Sequence, residues 1–140
     1  MKRAYYSNSI QQFLLETEVS ILGHLTTNHS NRKLEELQIN AWIKQIQILK
    51  TQLESFTGKV YFEFAIPRMG KRVDNIIIIN DIVFVVEFKV GDGGYEKHAI
   101  EQVIDYTIDL KNFHEGSHHL SLVPLLVATN ASITKEYLFS

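Results

Sequence analysis

The spacing of apolar residues predicts two helices in the first part of the chain. Residues 9–25 (SIQQFLLETEVSILGHL) place apolar side chains at intervals close to the helical period. Residues 33–55 repeat this spacing in a longer stripe that includes Trp42. The dipeptide Thr57-Gly58 is typical of a helix end. We therefore expect an N-terminal helix, then a longer helix, before the first strand.

After this point the pattern changes to that of a sheet. Three segments are rich in β-branched residues and predict strands: 60–66, 72–79 and 82–90. Helical spacing returns over 95–113, and the apolar segment 121–129 predicts a last buried strand. The order helix, helix, three strands, helix, strand indicates an α/β protein in which helices cover a mixed sheet.

The length is that of a single domain. At 140 residues the chain can bury one hydrophobic core. We assign residues 1–140 to one domain, with a helical extension over 1–32, a core over 33–129 and a tail over 130–140. Because no closing helix follows the last strand, we also consider that the chain is a fragment of a longer protein.

Composition narrows the class of protein. The net charge is −2, from 14 basic and 16 acidic residues, which argues against a protein that binds nucleic acid over one broad basic face. The absence of cysteine excludes disulfides and thiolate zinc sites. No apolar run reaches the ~18–20 residues that span a bilayer, and no signal peptide is evident. We expect a cytoplasmic protein without a membrane segment.

Two acids and a lysine interrupt the apolar strands. If Asn80-Asp81 forms a two-residue turn, paired residues sum to 161 and Asp74 lies opposite Glu87. Lys89, two residues beyond Glu87, projects from the same face. Two carboxylates this close repel, and a divalent cation between them would remove the repulsion.

The preceding hairpin adds a third acid. If PRMG (67–70) is a four-residue loop, pairs sum to 137 and Glu63 falls opposite Asp74. Glu63, Asp74 and Glu87 would then form a row across three strands, provided that neither loop changes by one residue. Pairing of Lys89 with one of these acids is the structural alternative, but it leaves at least one negative charge unpaired.

These residues resemble the PD-(D/E)XK signature of restriction-endonuclease-like nucleases: Asp74, then Glu87-Phe88-Lys89 on the next strand. The element order over 33–129 is similar to that superfamily's αβββαβ core. Longer segments resemble the nuclease-like N-terminal domain of bacterial predicted helicase/ATPase proteins related to Schlafen proteins: FEFAIPRMGKRVD, VVEFKVG, EQVIDYTIDLKNFH and VPLLVAT.

The resemblance implies a metal-dependent nuclease. Asp74, Glu87 and the main-chain carbonyl of Phe88 would bind Mg²⁺ or Mn²⁺, which prefer such hard oxygen ligands. Lys89 would orient or deprotonate water, or stabilise charge in the transition state. Gln102 would lie close to the catalytic centre.

The resemblance also implies roles for residues around the predicted catalytic centre. Tyr106 lies one turn from Gln102 on the same helix face, and we expect it to contact nucleic acid. A further catalytic acid is expected to be Glu63, with Glu35 and Glu36 as alternatives. The basic residues Arg68, Lys71 and Arg72 would contact phosphates without reading sequence.

The implied partner is nucleic acid, DNA in preference to RNA. A helicase or ATPase domain is the second partner that the resemblance implies, and the absence of a Walker A motif indicates that this chain alone is not the ATPase. A homodimer is a further expectation. The alternative function is a catalytically silent module of the same fold that binds nucleic acid or another protein.

Overall fold

The structure is a computed structural model that describes residues 3–29, 36–89, 97–113 and 120–129. The elements in chain order are β1 (Tyr6–Ser9), α1 (Ile10–Leu15), α2 (Glu18–Asn28), α3 (Glu36–Gln52), β2 (Lys59–Ile66), β3 (Lys71–Ile79), β4 (Ile82–Lys89), α4 (Lys97–Phe113) and β5 (Ser121–Ala128). None of the helices in these ranges has the length and apolar content to cross a membrane.

A five-stranded sheet lies between two layers of helices. The strand order is β1-β2-β3-β4-β5; the first three pairings are antiparallel, and the last, between β4 and β5, is parallel. The first core packs α1, α2 and α3 against one face of the sheet, with Trp42 and Phe62 fully buried in it. The second core packs α4 against the other face. The predicted α/β class with a mixed sheet is confirmed.

The single helix predicted over 9–25 is wrong, because local caps divide this segment. Ser9 caps α1 by accepting a hydrogen bond from the Gln12 N–H at 3.1 Å, and Thr17 caps α2 in the same way with Ser20. Between them Glu16 takes an extended conformation. Side-chain oxygens at both positions favour helix starts over continuation of one helix.

The residues predicted as a helical extension also supply strand β1, which the sequence pattern did not indicate. β1 pairs with β2 from Tyr6–Phe62 to Ser9–Lys59. Apolar residues of α1 and α2 lie in the first core. The segment is therefore an integral part of the sheet and core.

Lys50 of α3 holds the end of α1 in place. Its ammonium donates to the carbonyls of Phe13 and Glu16 at 2.6 Å and of Leu14 at 3.2 Å. These carbonyls lie where α1 ends and where intrahelical partners run out. A cation at this point compensates the negative end of the helix dipole and fixes α1 against α3.

Both predicted hairpin registers are confirmed. Pairs of β2 and β3 run from Lys59–Ile78 to Ile66–Lys71, and every pair sums to 137. Pairs of β3 and β4 run from Ile79–Ile82 to Asn75–Val86, and every pair sums to 161. At the second turn Asn80 has a left-handed φ of 55°, which asparagine tolerates better than most residues.

Gly58, between α3 and β2, is required by close contact. Its φ is 149°, and a Cβ at this position would lie 1.9 Å from the Ile78 carbonyl oxygen. We expect Gly58→Ala to destabilise the fold by about 3 kcal/mol, because the backbone of β3 has to move. Urea unfolding followed by circular dichroism measures this loss.

The control for this prediction is Gly23→Ala. Gly23 lies within α2 and a Cβ there would have no atom within 4 Å. Alanine is the better helix former, so a gain of about 0.5–1 kcal/mol is expected. Equal effects of the two substitutions would contradict the assigned contact at Gly58.

Candidate active site

The sheet opens where the three predicted acids lie. The pairing of β3 with β4 ends at Asn75–Val86, one position before Asp74 and Glu87, whereas β4 stays paired with β5 as far as Lys89–Ala128. In the β2–β3 ladder the position of Glu63 and Asp74 is skipped between two regular pairs. Asp74 and Glu87 therefore lie at a fork between β3 and β4, and Glu63 lies on the adjacent strand β2.

The strands β2 and β3 are also kinked at this level. Residues two apart in a regular strand share a face. Phe62, however, belongs to the first core and Phe64 packs against the second. On β3, Ile77 and Val73 are divided between the two cores in the same way. The predicted row of acids therefore lies where β2 and β3 depart from regular strand geometry.

Two hydrogen bonds from main-chain N–H groups to carboxylates cross the fork. The Asp74 N–H donates to Glu87 Oε1 at 2.8 Å, and the Phe88 N–H donates to Asp74 Oδ2 at 2.8 Å. Carboxylates thus accept N–H groups that a continued ladder would pair with carbonyls. This exchange explains how the two strands separate while these two main-chain donors stay satisfied.

Glu63 reaches this pair from a strained main chain. Its φ is 54°, a left-handed conformation that is uncommon for a glutamate within a strand. The side chain of Trp42 in α3 stabilises the ionised Glu63 carboxyl. Within the described residues the buried indole N–H of Trp42 has no hydrogen-bond partner of ordinary geometry.

All three acids have a raised pKa. Burial, followed by repulsion from Asp74, raises the pKa of Glu63 from 4.5 to about 8. Burial also raises the pKa of Asp74, although the Phe88 N–H opposes this. For Glu87, burial acts first, then repulsion from Asp74, and Glu63 adds to it. Repulsion from Asp74 thus raises the pKa of both Glu63 and Glu87, and we name these three carboxyls the acidic cluster.

Lys89 and Phe88 occupy the end of β4. Lys89 is half-buried, two residues beyond Glu87, and its carbonyl accepts from the Thr129 N–H at 3.0 Å. The side chain of Phe88 packs against the first core. The regular alternation of β4 places Lys89 on the same side as Glu87. The Asp, Glu and Lys of the motif are thus on neighbouring positions of the fork.

Gln102 and Tyr106 face the acidic cluster from α4. The Gln102 amide donates to the Tyr106 hydroxyl at 2.7 Å. Burial and then the proximity of Glu87 raise the pKa of Tyr106. Tyr106 is only 2% exposed, so it can present little surface to a nucleic acid. Because its oxygen accepts from Gln102, its own proton is left for donation towards the site.

An open cleft of about 1400 Å³ leads to Glu63 and Tyr106. Its lining includes the cationic side chains of Arg3, Lys71 and Arg72. Of the predicted phosphate-binding residues, Lys71 and Arg68 are exposed, and the Arg68 N–H donates to Asp109 at 3.4 Å. Arg72 is half-buried and bound to the protein main chain. The three residues therefore have different surroundings.

Sequence reasoning missed three residues near the site: Arg3, Tyr5 and Trp42. The first two reach the cleft because the N-terminal segment lies beside β2, where Tyr5 donates to the Phe62 carbonyl at 3.0 Å. No local pattern reveals that pairing. The apolar stripe did place Trp42 in a core helix, but not beside an acid. Of the alternative acids, Glu36 is exposed at the start of α3 and Glu35 lies outside the described residues.

A second hollow, along β1, contains a different acid. Glu16 accepts hydrogen bonds from the Tyr6 hydroxyl and the Ser20 hydroxyl, both at 2.6 Å, and lies 3.4 Å from His24 Nε2. Burial alone would raise the pKa of Glu16, but these hydrogen bonds and His24 lower it overall. The Glu16 carboxylate thus has its hydrogen-bond partners within the protein, and it stabilises the connection between α1 and α2.

The donor set of the acidic cluster suits a hard divalent cation. In the described part of the chain, no three His, Asp or Glu side chains are already arranged as a metal site. The predicted ligand set, however, consists of two carboxylates and a main-chain oxygen. Carboxylate and main-chain carbonyl oxygens are hard donors of the kind that Mg²⁺ and Mn²⁺ prefer. The residues present therefore fit Mg²⁺ or Mn²⁺.

Comparisons with protein-family models, with curated proteins and with solved structures find no match for this chain. The functional conclusion therefore depends on the geometry and chemistry of the acidic cluster and its cleft.

Proposed function

We propose that this chain is a metal-dependent nuclease domain with a restriction-endonuclease-like fold. The observation that carries the proposal is the meeting of Glu63, Asp74 and Glu87 at the fork, with Lys89 two positions from Glu87. The order of elements from α3 to β5 supports the fold, because it is the predicted order of helix, three strands, helix and strand. DNA is the preferred substrate over RNA, and a helicase or ATPase domain is the partner that the sequence resemblance favours.

Asp74, Glu87 and the Phe88 carbonyl would hold the ion, with Glu63 as a further oxygen donor. When bound, Mg²⁺ or Mn²⁺ supplies charge that polarises the scissile phosphate and lowers the pKa of the attacking water. Burial of the carboxyls excludes competing water and strengthens their attraction for a cation. The cationic side chains of Arg3 and Lys71 in the cleft lining would attract the phosphate backbone towards these acids.

Lys89, at the end of β4, and Gln102 and Tyr106, on α4, would stabilise charge and supply hydrogen-bond donors at the site. The Lys89 ammonium would stabilise negative charge that develops on the phosphate, or orient the water that attacks it. Gln102 holds the Tyr106 hydroxyl through the 2.7 Å hydrogen bond. Tyrosine is protonated at neutral pH, and burial and Glu87 raise the pKa of Tyr106 further, so its hydroxyl would act as a donor at the α4 side of the site.

The second candidate is a catalytically silent module that binds nucleic acid or another protein. One observation favours it: Asp74 and Glu87 each already accept a main-chain N–H across the fork. If these bonds are permanent, the carboxyls serve to terminate the β3–β4 ladder. Binding of oligonucleotide by the wild-type protein, without cleavage in Mg²⁺ or Mn²⁺, would favour this candidate.

Cleavage assays on single-stranded and double-stranded DNA and RNA test the proposal directly. The wild-type protein should cleave at least one of them with Mg²⁺ or Mn²⁺ and lose activity with a chelator. Lys89→Met should lower kcat by about 10²–10³-fold, because a group that stabilises the transition state is lost. Mn²⁺ affinity, measured by calorimetry, should stay within about threefold, since Lys89 is not a ligand.

The matched control is Lys59→Met, which removes a lysine from the exposed start of β2. It should leave both kcat and Mn²⁺ affinity unchanged. If Lys89→Met retains full activity while the wild type cleaves, the assigned role of Lys89 is wrong. If no substrate is cleaved and no Mn²⁺ binds, the nuclease proposal itself fails.

A further inference from the structure

The strained main chain at Glu63 needs a cause. Among non-glycine residues of the described ranges, left-handed φ values occur only at Glu63 and at Asn80. Asn80 lies at a hairpin tip, where this conformation is ordinary. Glu63 lies inside β2, where such a conformation costs about 1–3 kcal/mol and persists only if surrounding contacts impose it.

Arg72 makes the contacts that can impose it. Its Nη1 donates to the Glu63 carbonyl oxygen at 2.7 Å and to the Arg3 carbonyl oxygen at 3.3 Å. Its guanidinium carbon lies 4.3 Å from the centre of the Tyr5 ring. The guanidinium is thus stacked on one side and bound to two main-chain acceptors, an arrangement that lysine cannot reproduce.

The conformation of Glu63 decides where its carboxyl goes. In an unbroken strand Glu63 would share the face of Tyr61, which packs against the second core below α4. The kink instead brings the carboxyl under the influence of Trp42, which belongs to the first core. The main-chain turn at this residue is therefore what directs the third acid to its place.

We propose that Arg72, stacked on Tyr5, is a positioning residue that holds Glu63 in its left-handed conformation and so sets the direction of the third carboxyl of the acidic cluster. This role replaces the phosphate contact that the sequence predicts for Arg72. Any role of the Glu63 carboxyl in binding a metal rests on the proposed function. The placement of this carboxyl beside Trp42 does not depend on that function.

Trp42 is a direct reporter of this placement, because it is the only tryptophan of the chain. Its fluorescence is compared at pH 9 in the wild type, Glu63→Gln, Arg72→Lys and the double variant. Removing the carboxylate next to the indole should change the emission in the wild-type background. In the Arg72→Lys background the same change should fall to less than about a third, because Glu63 has already left Trp42.

The result that overturns the proposal is an effect of Glu63→Gln that persists in full when Arg72 is lysine. The control is Arg68→Lys, the same substitution at an exposed position of the same hairpin. It should leave the effect of Glu63→Gln on the emission unchanged. A change of emission in every arginine variant would show that the reporter does not distinguish Arg72.

A second pair of variants covers the case in which Arg72→Lys does not fold. Tyr5→Leu removes the stacking ring while Arg72 stays, and Tyr5→Phe keeps the ring. Tyr5→Leu should reduce the effect of Glu63→Gln on Trp42 emission, and Tyr5→Phe should preserve it. Equal behaviour of the two variants would contradict the proposed stacking.

Mn²⁺ binding separates this inference from the proposed function. Arg72→Lys should weaken Mn²⁺ binding by about tenfold, while the KM for an oligonucleotide stays within about twofold. A higher KM with unchanged Mn²⁺ affinity would indicate a phosphate contact instead. If the wild type binds no Mn²⁺, the nuclease proposal fails, and the fluorescence comparison still decides whether Arg72 positions Glu63.

Discussion

Asp74→Asn is expected to abolish both divalent-cation binding and nuclease activity. Asp74 lies at the centre of the acidic cluster, where its charge raises the pKa of both Glu63 and Glu87. Asparagine retains an oxygen that can accept from the Phe88 N–H, so the fork should persist. Because one ligand charge is lost, cleavage should fall by about 10³-fold or more.

Calorimetric titration with Mn²⁺ and cleavage assays under the same conditions measure these two losses. Asp81→Asn is the matched control, since Asp81 is exposed at the hairpin tip between β3 and β4. It should change neither property. If Asp74→Asn loses cleavage but keeps its Mn²⁺ affinity, the metal binds at another site. Full activity of this variant would contradict the assigned catalytic centre.

The stability of the metal-free protein should fall as pH rises from about 5 to 9. In the unfolded chain Glu63 loses its proton near 4.5, whereas in the folded protein it keeps the proton to about 8. Its contribution to stability is therefore fully present below pH 4.5 and is lost as pH rises through 8. We expect a loss on the order of 3 kcal/mol from this residue, with further loss from the Asp74–Glu87 pair.

Urea unfolding followed by Trp42 fluorescence at several pH values measures this dependence. Glu63→Gln should flatten the curve, because the amide does not ionise. The exposed Glu54 provides the control, and Glu54→Gln should leave the curve unchanged. Addition of Mn²⁺ at pH 8 should restore stability to the wild type by mass action. A wild-type stability that rises between pH 5 and 9 would contradict the burial of these acids.

The secondary structure that local chemistry controls was predictable from the sequence. The β-branched segments predicted β2, β3 and β4 to within one residue over the described ranges, and two short turns set the register of both hairpins. In a hairpin, loop length and strand period alone decide which residues face each other. The proximity of Glu63, Asp74 and Glu87 followed from that arithmetic.

The N-terminal strand could not be found in this way. β1 has only four residues, YSNS, with no alternating apolar pattern, and it pairs with residues that follow it by fifty positions or more. The pairing of such a segment depends on a sheet that forms elsewhere in the chain. For the same reason no local pattern indicated that Arg3 and Tyr5 lie along the cleft.

The sequence by itself determined which acids meet, because hairpin register is a local property. Only the tertiary structure decided how they meet. Glu63 turns to a left-handed conformation where Arg72 binds its carbonyl, and the β3–β4 ladder ends where Asp74 and Glu87 accept main-chain N–H groups. Strain of this kind depends on contacts between distant segments, which no pattern of apolar and polar residues encodes.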